Sequence, residues 1–198
     1  MAQQQGFALP SAEVAYQTFR PPAASAGLEW FHNFEGLVIY SASGQQADGT
    51  TTYTQIFHTG AVELVRGGYV FDRDFAGATW RLIGTQAVMR DLFGSVARAV
   101  IGLLKCGAEA PFVVMISLLD AAGARLTVTD HDLDEARPLD RPDLLFAPVV
   151  VTADDLQGHW SARLAPIADS LWNAFGYETC HVLRDASGTW TGLPGGWR

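Results

Sequence analysis

Five polar residues near strand-like runs could together hold a small molecule: His32 and Asn33 in "EWFHNFEGLVIYS", and Tyr53, Gln55 and Arg66 in the segment 53–66. An imidazole, two carboxamides, a phenol and a guanidinium would suit a small anionic or polar ligand if their strands are neighbours, because pockets set a few polar groups in an apolar lining. Each also has a plainer structural role. An Asn at a strand entrance bonds its side chain to nearby backbone, and Gly within a strand, here Gly36, marks a bulge or a close backbone approach. The preferred reading of Asn33 and His32 is a structural strand entrance, with the ligand site as the alternative.

Other chemistries fail on spacing. The histidines His32, His58, His131, His159 and His181 form no HExxH or His-x-His arrangement, so zinc is not expected. In "TDHDLDE" the acids Asp130, Asp132 and Asp134 alternate around His131, but an EF-hand needs Gly at loop position six and Glu at twelve, and those positions hold Glu135 and Arg141. A solvated acidic turn fits better. Neither a GxxxxGKS nor a GxGxxG loop is present, nor a GxSxG elbow; Ser117 reads as a strand residue. The sequence points to no cofactor or metal and favours a nonenzymatic chain, with a small-molecule binder or an enzyme using a polar cleft near Asn33 and the 53–66 hairpin as the alternative.

Several elements must position these residues. Residues 1–27, rich in Gln, Ala, Ser and Pro, read as a loosely ordered lead-in, and 28–198 as one α+β domain. Phe34 to Ser41 is apolar on both faces, as in a central strand. Thr59-Gly60 suggests a two-residue hairpin loop pairing His58 with Ala61. That register sets Tyr53, Gln55 and Phe57 beside Arg66, Leu64 and Val62 on the drier face. Residues at three- and four-residue spacing predict helices over about 86–106 and 163–175, with Thr85 as N-cap and Gly107 and Gly176 as closing glycines. Gly94 and Gly102 in the first helix suggest close packing on a sheet. "PFVVMISLLDAAGARLTVTD" reads as a buried strand, a turn at Ala121 to Ala124 and a second strand, hence another hairpin. The expected fold is α+β, a mainly antiparallel sheet of about five to seven strands packed by two principal helices. Trp190 and Trp197, in the Gly-rich tail, are the aromatics most available to a partner.

With 198 residues and 48% hydrophobic content, the chain can bury one sizeable core. A net charge of -8 opposes a broad grip on phosphate backbone, so direct nucleic-acid binding is not expected. The apolar runs are shorter than the roughly 20 residues that span a bilayer, and no secretory signal is evident. A cytoplasmic protein with reduced Cys106 and Cys180 is expected. Partner classes left open are another protein, a second copy of the chain, and a small-molecule ligand.

The blocks "HNFEGLVIYS", "YTQIFHTGAVELV", "PFVVMISLLDAAGARLTV", "LDRPDLLFAPVVV" and "IADSLWNAFGY" resemble, in order and spacing, the C-terminal region of bacterial proteins with an N-terminal AlbA-type, Schlafen-like putative DNA-binding domain. The similarity spans about Trp30 to Tyr177 and lies in patterns rather than a catalytic signature. No residue matches the AlbA-type domain itself, so the resemblance carries neither DNA nor nucleotide binding. It implies an accessory module, serving assembly or ligand sensing.

Overall fold

The computed structural model describes residues 7–21, 27–41, 52–75, 77–127, 137–158 and 160–191. His131, His159, Trp197 and the acidic run Asp130 to Glu135 lie outside them. In chain order the first elements are α1 (Ala12–Thr18), β1 (Leu28–His32), β2 (Gly36–Ser41), β3 (Thr52–Phe57), β4 (Val62–Arg66), β5 (Val70–Phe75) and β6 (Ala78–Gly84). A helical run follows: α2 (Thr85–Ala87), a π-helical stretch (Val88–Phe93) and α3 (Gly94–Lys105). After it come β7 (Phe112–Val114), β8 (Ser117–Leu118), β9 (Arg125–Thr127), β10 (Leu144–Leu145), β11 (Val149–Val151), α4 (Ala153–Leu156) and α5 (Ala165–Ala174). The fold is α+β, but among the described residues the strands form four small sheets instead of one of five to seven strands. The chain divides into two compact units, 1–68 with 95–109, and 69–94 with 110–198, where one domain was expected.

The first unit is an antiparallel sheet in the order β1-β2-β3-β4. Alternation along the strands puts Leu37, Ile39, Thr54 and Ile56 on one face, all fully buried. Helix α1 supplies Ala15 and Phe19, four residues apart, to the core holding Leu37, Ile39 and Ile56. The expected loose lead-in therefore contains a core helix. Its start is coded by Ser11, whose Oγ accepts from the Val14 N–H at 3.4 Å, and by Glu13 in the first turn. Gly102 on α3 makes room for α1, not for the sheet: a Cβ there would lie 2.6 Å from the Phe19 ring and 2.8 Å from Thr18.

The β3–β4 hairpin forms as the sequence suggests, one residue out of register. Phe57 donates to Ala61 O at 2.9 Å and Gly60 to Phe57 O at 2.9 Å, leaving a three-residue loop, His58-Thr59-Gly60. Gly60 takes φ +85°, the left-handed position that closes such loops. Because strand side chains alternate, that slip moves Arg66 to the face opposite Tyr53 and Gln55. The dry face is also the other one from that expected: it carries Thr54 and Ile56, both fully buried.

In the second unit, β5 and β6 form an antiparallel hairpin, and β9 adds to β6 in parallel. The Thr85 hydroxyl donates to Thr127 O and the Thr127 hydroxyl to Ile83 O, so Thr85 ties the helix start to β9 instead of capping it. Ala121 to Ala124 forms the expected turn, with Ala124 N–H on Ala121 O at 3.0 Å, but the strands around it do not pair. Residues 112–124 instead run antiparallel to 139–151. β7 pairs with β11 and β8 with β10, and Gly123 N–H bonds Leu139 O while Leu139 N–H bonds Ala124 O. The register shifts by one residue between the two pairings, from Val149↔Val114 to Leu145↔Ser117, which places a bulge near Pro148 where no amide donor is needed.

Helix α5 starts with Pro in its first turn and buries Ile167, Ala168, Leu171 and Trp172, as its periodicity predicts. Gly176 N–H closes it onto Asn173 O. Ahead of it, α4 opens with a capping box: Asp155 accepts from the Thr152 N–H and hydroxyl, both at 2.8 Å, and Thr152 Oγ1 accepts from Asp155 N–H. The Thr152 backbone bond first, then its hydroxyl and Arg163, whose Nε reaches Oδ1 at 2.7 Å, lower the Asp155 pKa from 3.8 to about 2. A depressed carboxylate stabilises the folded state above its unfolded pKa and loses that contribution as pH falls through the folded one. The cap is thus at full strength above pH 3.8 and lost on acidification through about 2. A carboxyl NMR titration should place the Asp155 midpoint near the lower value, and Asp155→Asn should remove this part of the acid dependence. A midpoint at 3.8 would contradict the cap geometry.

Candidate functional site

The five candidate ligand residues do not share a cleft. Asn33 spends its side chain on the β1–β2 turn, Oδ1 accepting from Glu35 N–H at 3.0 Å and Gly36 N–H at 2.8 Å. That is the structural role read from the sequence. Gly36 is the close approach: a Cβ there would sit 1.9 Å from Ile56 O. His32, exposed at the end of β1, meets Trp30 edge to face at 5.7 Å. Strand pairing places both on the same sheet face as Leu37 and Ile39.

Tyr53 and Gln55 are brought together on the opposite face, where their polar groups are already used. The Tyr53 hydroxyl donates to Glu63 Oε2 at 2.8 Å, and Gln55 Nε2 to Glu35 Oε2 at 3.4 Å. Burial, and then the Glu63 carboxylate, push the Tyr53 phenol up to about 12, so it is a neutral donor near neutrality rather than an acid. The Tyr40 hydroxyl likewise donates to Glu29. This face is a set of tyrosine–carboxylate pairs across neighbouring strands, which holds register and leaves no free base beside a nucleophile.

In the second unit a cleft of about 570 Å³ opens between the β10 region and α5, lined among others by Arg137, Asp140, Arg141, Phe146, Ser170 and Asn173. Arg141 Nε pairs with Asp140 at 3.2 Å, and Asn173 Nδ2 is committed to Tyr177 O and Glu178 O at 2.8 and 2.7 Å. The Ser170 hydroxyl donates to Pro166 O at 2.7 Å. With Asp143 also in the lining, two arginines face two aspartates, and the cleft selects neither anions nor cations strongly. Among the described residues no three His, Cys, Asp or Glu side chains converge as metal ligands. Both cysteines are free thiols, and burial raises the pKa of each.

The feature that sequence reading missed is apolar. Residues 112–119 alternate strictly in exposure: Val114 and Ile116 are buried, while Val113, Met115 and Leu119 are 59%, 74% and 61% exposed. The paired strand adds Leu145 at 75% and Val150 at 49% to the same outer face, through the pairings Leu145↔Ser117 and Val150↔Val113. "FVVMISLL" is thus apolar on both faces but covered on one, where the sequence suggested a fully buried strand. A run apolar on both faces is the composition of a strand with a layer on each side. That composition was the available signal.

Trp190 is mostly covered: it bridges to Arg184, and its indole nitrogen is buried. It therefore offers less surface than the Gly-rich context suggests. Among the described residues no helix is long and apolar enough to cross a membrane. Comparison with protein-family models, curated proteins and solved structures found no match to the chain.

Proposed function

We propose that this chain is a nonenzymatic accessory module for protein assembly, akin to the region that follows the AlbA-type domain in Schlafen-like regulators. The observation that carries the reading is the outer face of the β7–β11 ribbon. Val113, Met115, Leu119, Leu145 and Val150, 49–75% exposed, together show on the order of 500 Å² of apolar surface, the size of a typical monomer's largest patch, which is often functional. Ser117 is the polar residue among the five, and the charge at their border is the exposed Asp143, which lies across from Leu119 and accepts from the Asp120 N–H at 3.0 Å. A face of this kind suits a protein partner with an apolar surface of its own, since burying it removes apolar area from water without stranding a charge.

The partner class that the family resemblance nominates is a separately encoded AlbA-type, Schlafen-like regulator. Co-expression followed by size-exclusion chromatography with light scattering tests this directly. A stoichiometric complex is expected with the wild-type chain. Met115→Glu combined with Leu145→Glu should abolish it while leaving circular dichroism unchanged, because both side chains are already about three-quarters exposed. A complex that survives both charges would rule out the ribbon face.

A further inference from the structure

The first unit carries a second unpartnered feature, independent of the ribbon. Strand β1 is the edge of its sheet, and every residue from Glu29 to His32 is exposed. Asn33 N–H donates to Gly36 O at 3.0 Å, and His58 N–H to Glu35 O at 2.9 Å, which fixes the alternation of the antiparallel ladder. Phe31 and Glu29 turn their backbone groups toward β2; Leu28, Trp30 and His32 turn theirs outward. Three donors and three acceptors thus line a short edge whose one charged guard is Glu29: β1 contains no proline, no lysine and no bulge. The opposite edge strand, β4, carries Glu63 and Arg66.

We propose that β1 pairs antiparallel with β1 of a second copy, across a two-fold axis at Trp30, joining two four-stranded sheets into one of eight. Water can solvate this exposed edge, but an extended chain matches the spacing of its donors and acceptors, and β1 itself fits in register. With Trp30 opposite Trp30 of the second copy, Leu28 faces His32 of the second copy and Glu29 faces Phe31 of the second copy. All three outward-facing residues then fall at hydrogen-bonded positions. The strand's one acidic residue sits directly opposite an aromatic, and the two Glu29 side chains are only diagonal neighbours, about 7–8 Å apart, so no like charges stand directly opposite even in a chain of net charge -8. Its carboxylate is already held by the Tyr40 hydroxyl. Trp30 and Phe31, about half exposed, are braced by edge-to-face contacts with His32 and Tyr40 at 5.7 and 5.8 Å. Pairing therefore orders little that is not already ordered. The strand edge and its two aromatics bury less than the roughly 1,200 Å² of a standard interface, so the dimer is a weak one that forms at high concentration.

Sedimentation equilibrium up to about 500 µM reads this out, a range that detects affinities down to millimolar. Self-association is expected for the wild type, and His32→Pro should weaken it at least about tenfold. That substitution deletes an outward N–H that makes no bond among the described residues, and proline is tolerated at such edge positions. A strictly monomeric wild type overturns the proposal. So does a His32→Pro chain that associates like the wild type. If His32→Pro fails to fold, Trp30→Cys decides: residue 30 faces itself about 5.5 Å away between Cα atoms, within disulfide reach. In a Cys106→Ser background, diamide should then give a dimer linked through position 30, and no such dimer counts against the register. The Met115→Glu, Leu145→Glu chain should self-associate normally. Loss of the dimer in that variant alone would overturn pairing at β1 and leave assembly through the ribbon standing.

Discussion

Gly36→Ala is expected to cost the first unit about 3 kcal/mol or more, because the added methyl would meet backbone of the neighbouring strand. At Gly36 the new Cβ would lie 1.9 Å from Ile56 O and 2.9 Å from Ile56 C, both backbone atoms of the neighbouring strand. A flexible side-chain tip could swing away; a carbonyl in the middle of β3 cannot. Relief requires the β2–β3 ladder to open around Leu37↔Ile56, both fully buried. Hydrogen exchange of the β2 and β3 amides should accelerate strongly in the variant, and the first unit should melt at lower denaturant. An alanine variant with wild-type protection of Ile56 and Leu37 would show that the strands do not approach as closely as described.

Phe19→Ala should cost about 3–5 kcal/mol, the range for truncating a fully buried aromatic. Phe19 is 1% exposed, packs in the core with Leu37, Ile39 and Ile56, and touches α3 at Gly102. The substitution removes most of what α1 contributes to that core, leaving Ala15 as its other buried residue. Chemical denaturation of the variant, followed by exchange of the β2 amides, measures the loss. A shift no larger than that of an exposed-site control such as Tyr16→Ala would mean that residues 12–19 are peripheral after all.

How much of this the sequence disclosed depends on how local each signal is. The helices over 85–105 and 165–174 were legible because three- and four-residue spacing is written within a single element. The turn around Asn33 was legible for the same reason, since Asn33 bonds residues two and three positions ahead. Helix α1 was not legible: seven residues give barely two turns of periodicity, and Gln, Ala and Pro around it read as loop. Its traces were Ser11 before Glu13 and the Ala15–Phe19 spacing.

Register and pairing failed for a different reason. The choice between Thr59-Gly60 and His58-Thr59-Gly60 as the β3–β4 loop is a matter of one residue, yet it decides which face carries Arg66. The candidate ligand cluster depended on that choice. The pairing of 112–124 with 139–151 joins segments far apart in sequence, while the glycine turn at 121–124 offered a local hairpin that the fold does not use. Only with that pairing known does it become clear which residues of "FVVMISLL" face outward. Composition alone showed an apolar run; topology showed that half of it is uncovered.

This uncovered face is the docking surface proposed above. Its most direct measurement is the affinity of the purified chain for a purified AlbA-type, Schlafen-like regulator, by titration calorimetry, for the wild type and the Met115→Glu, Leu145→Glu variant side by side. Two charges placed at the centre of an apolar interface should weaken binding by at least about a hundredfold, since each would be desolvated without a partner. Equal affinities for the two chains, or no heat of binding from the wild type, would contradict the claim.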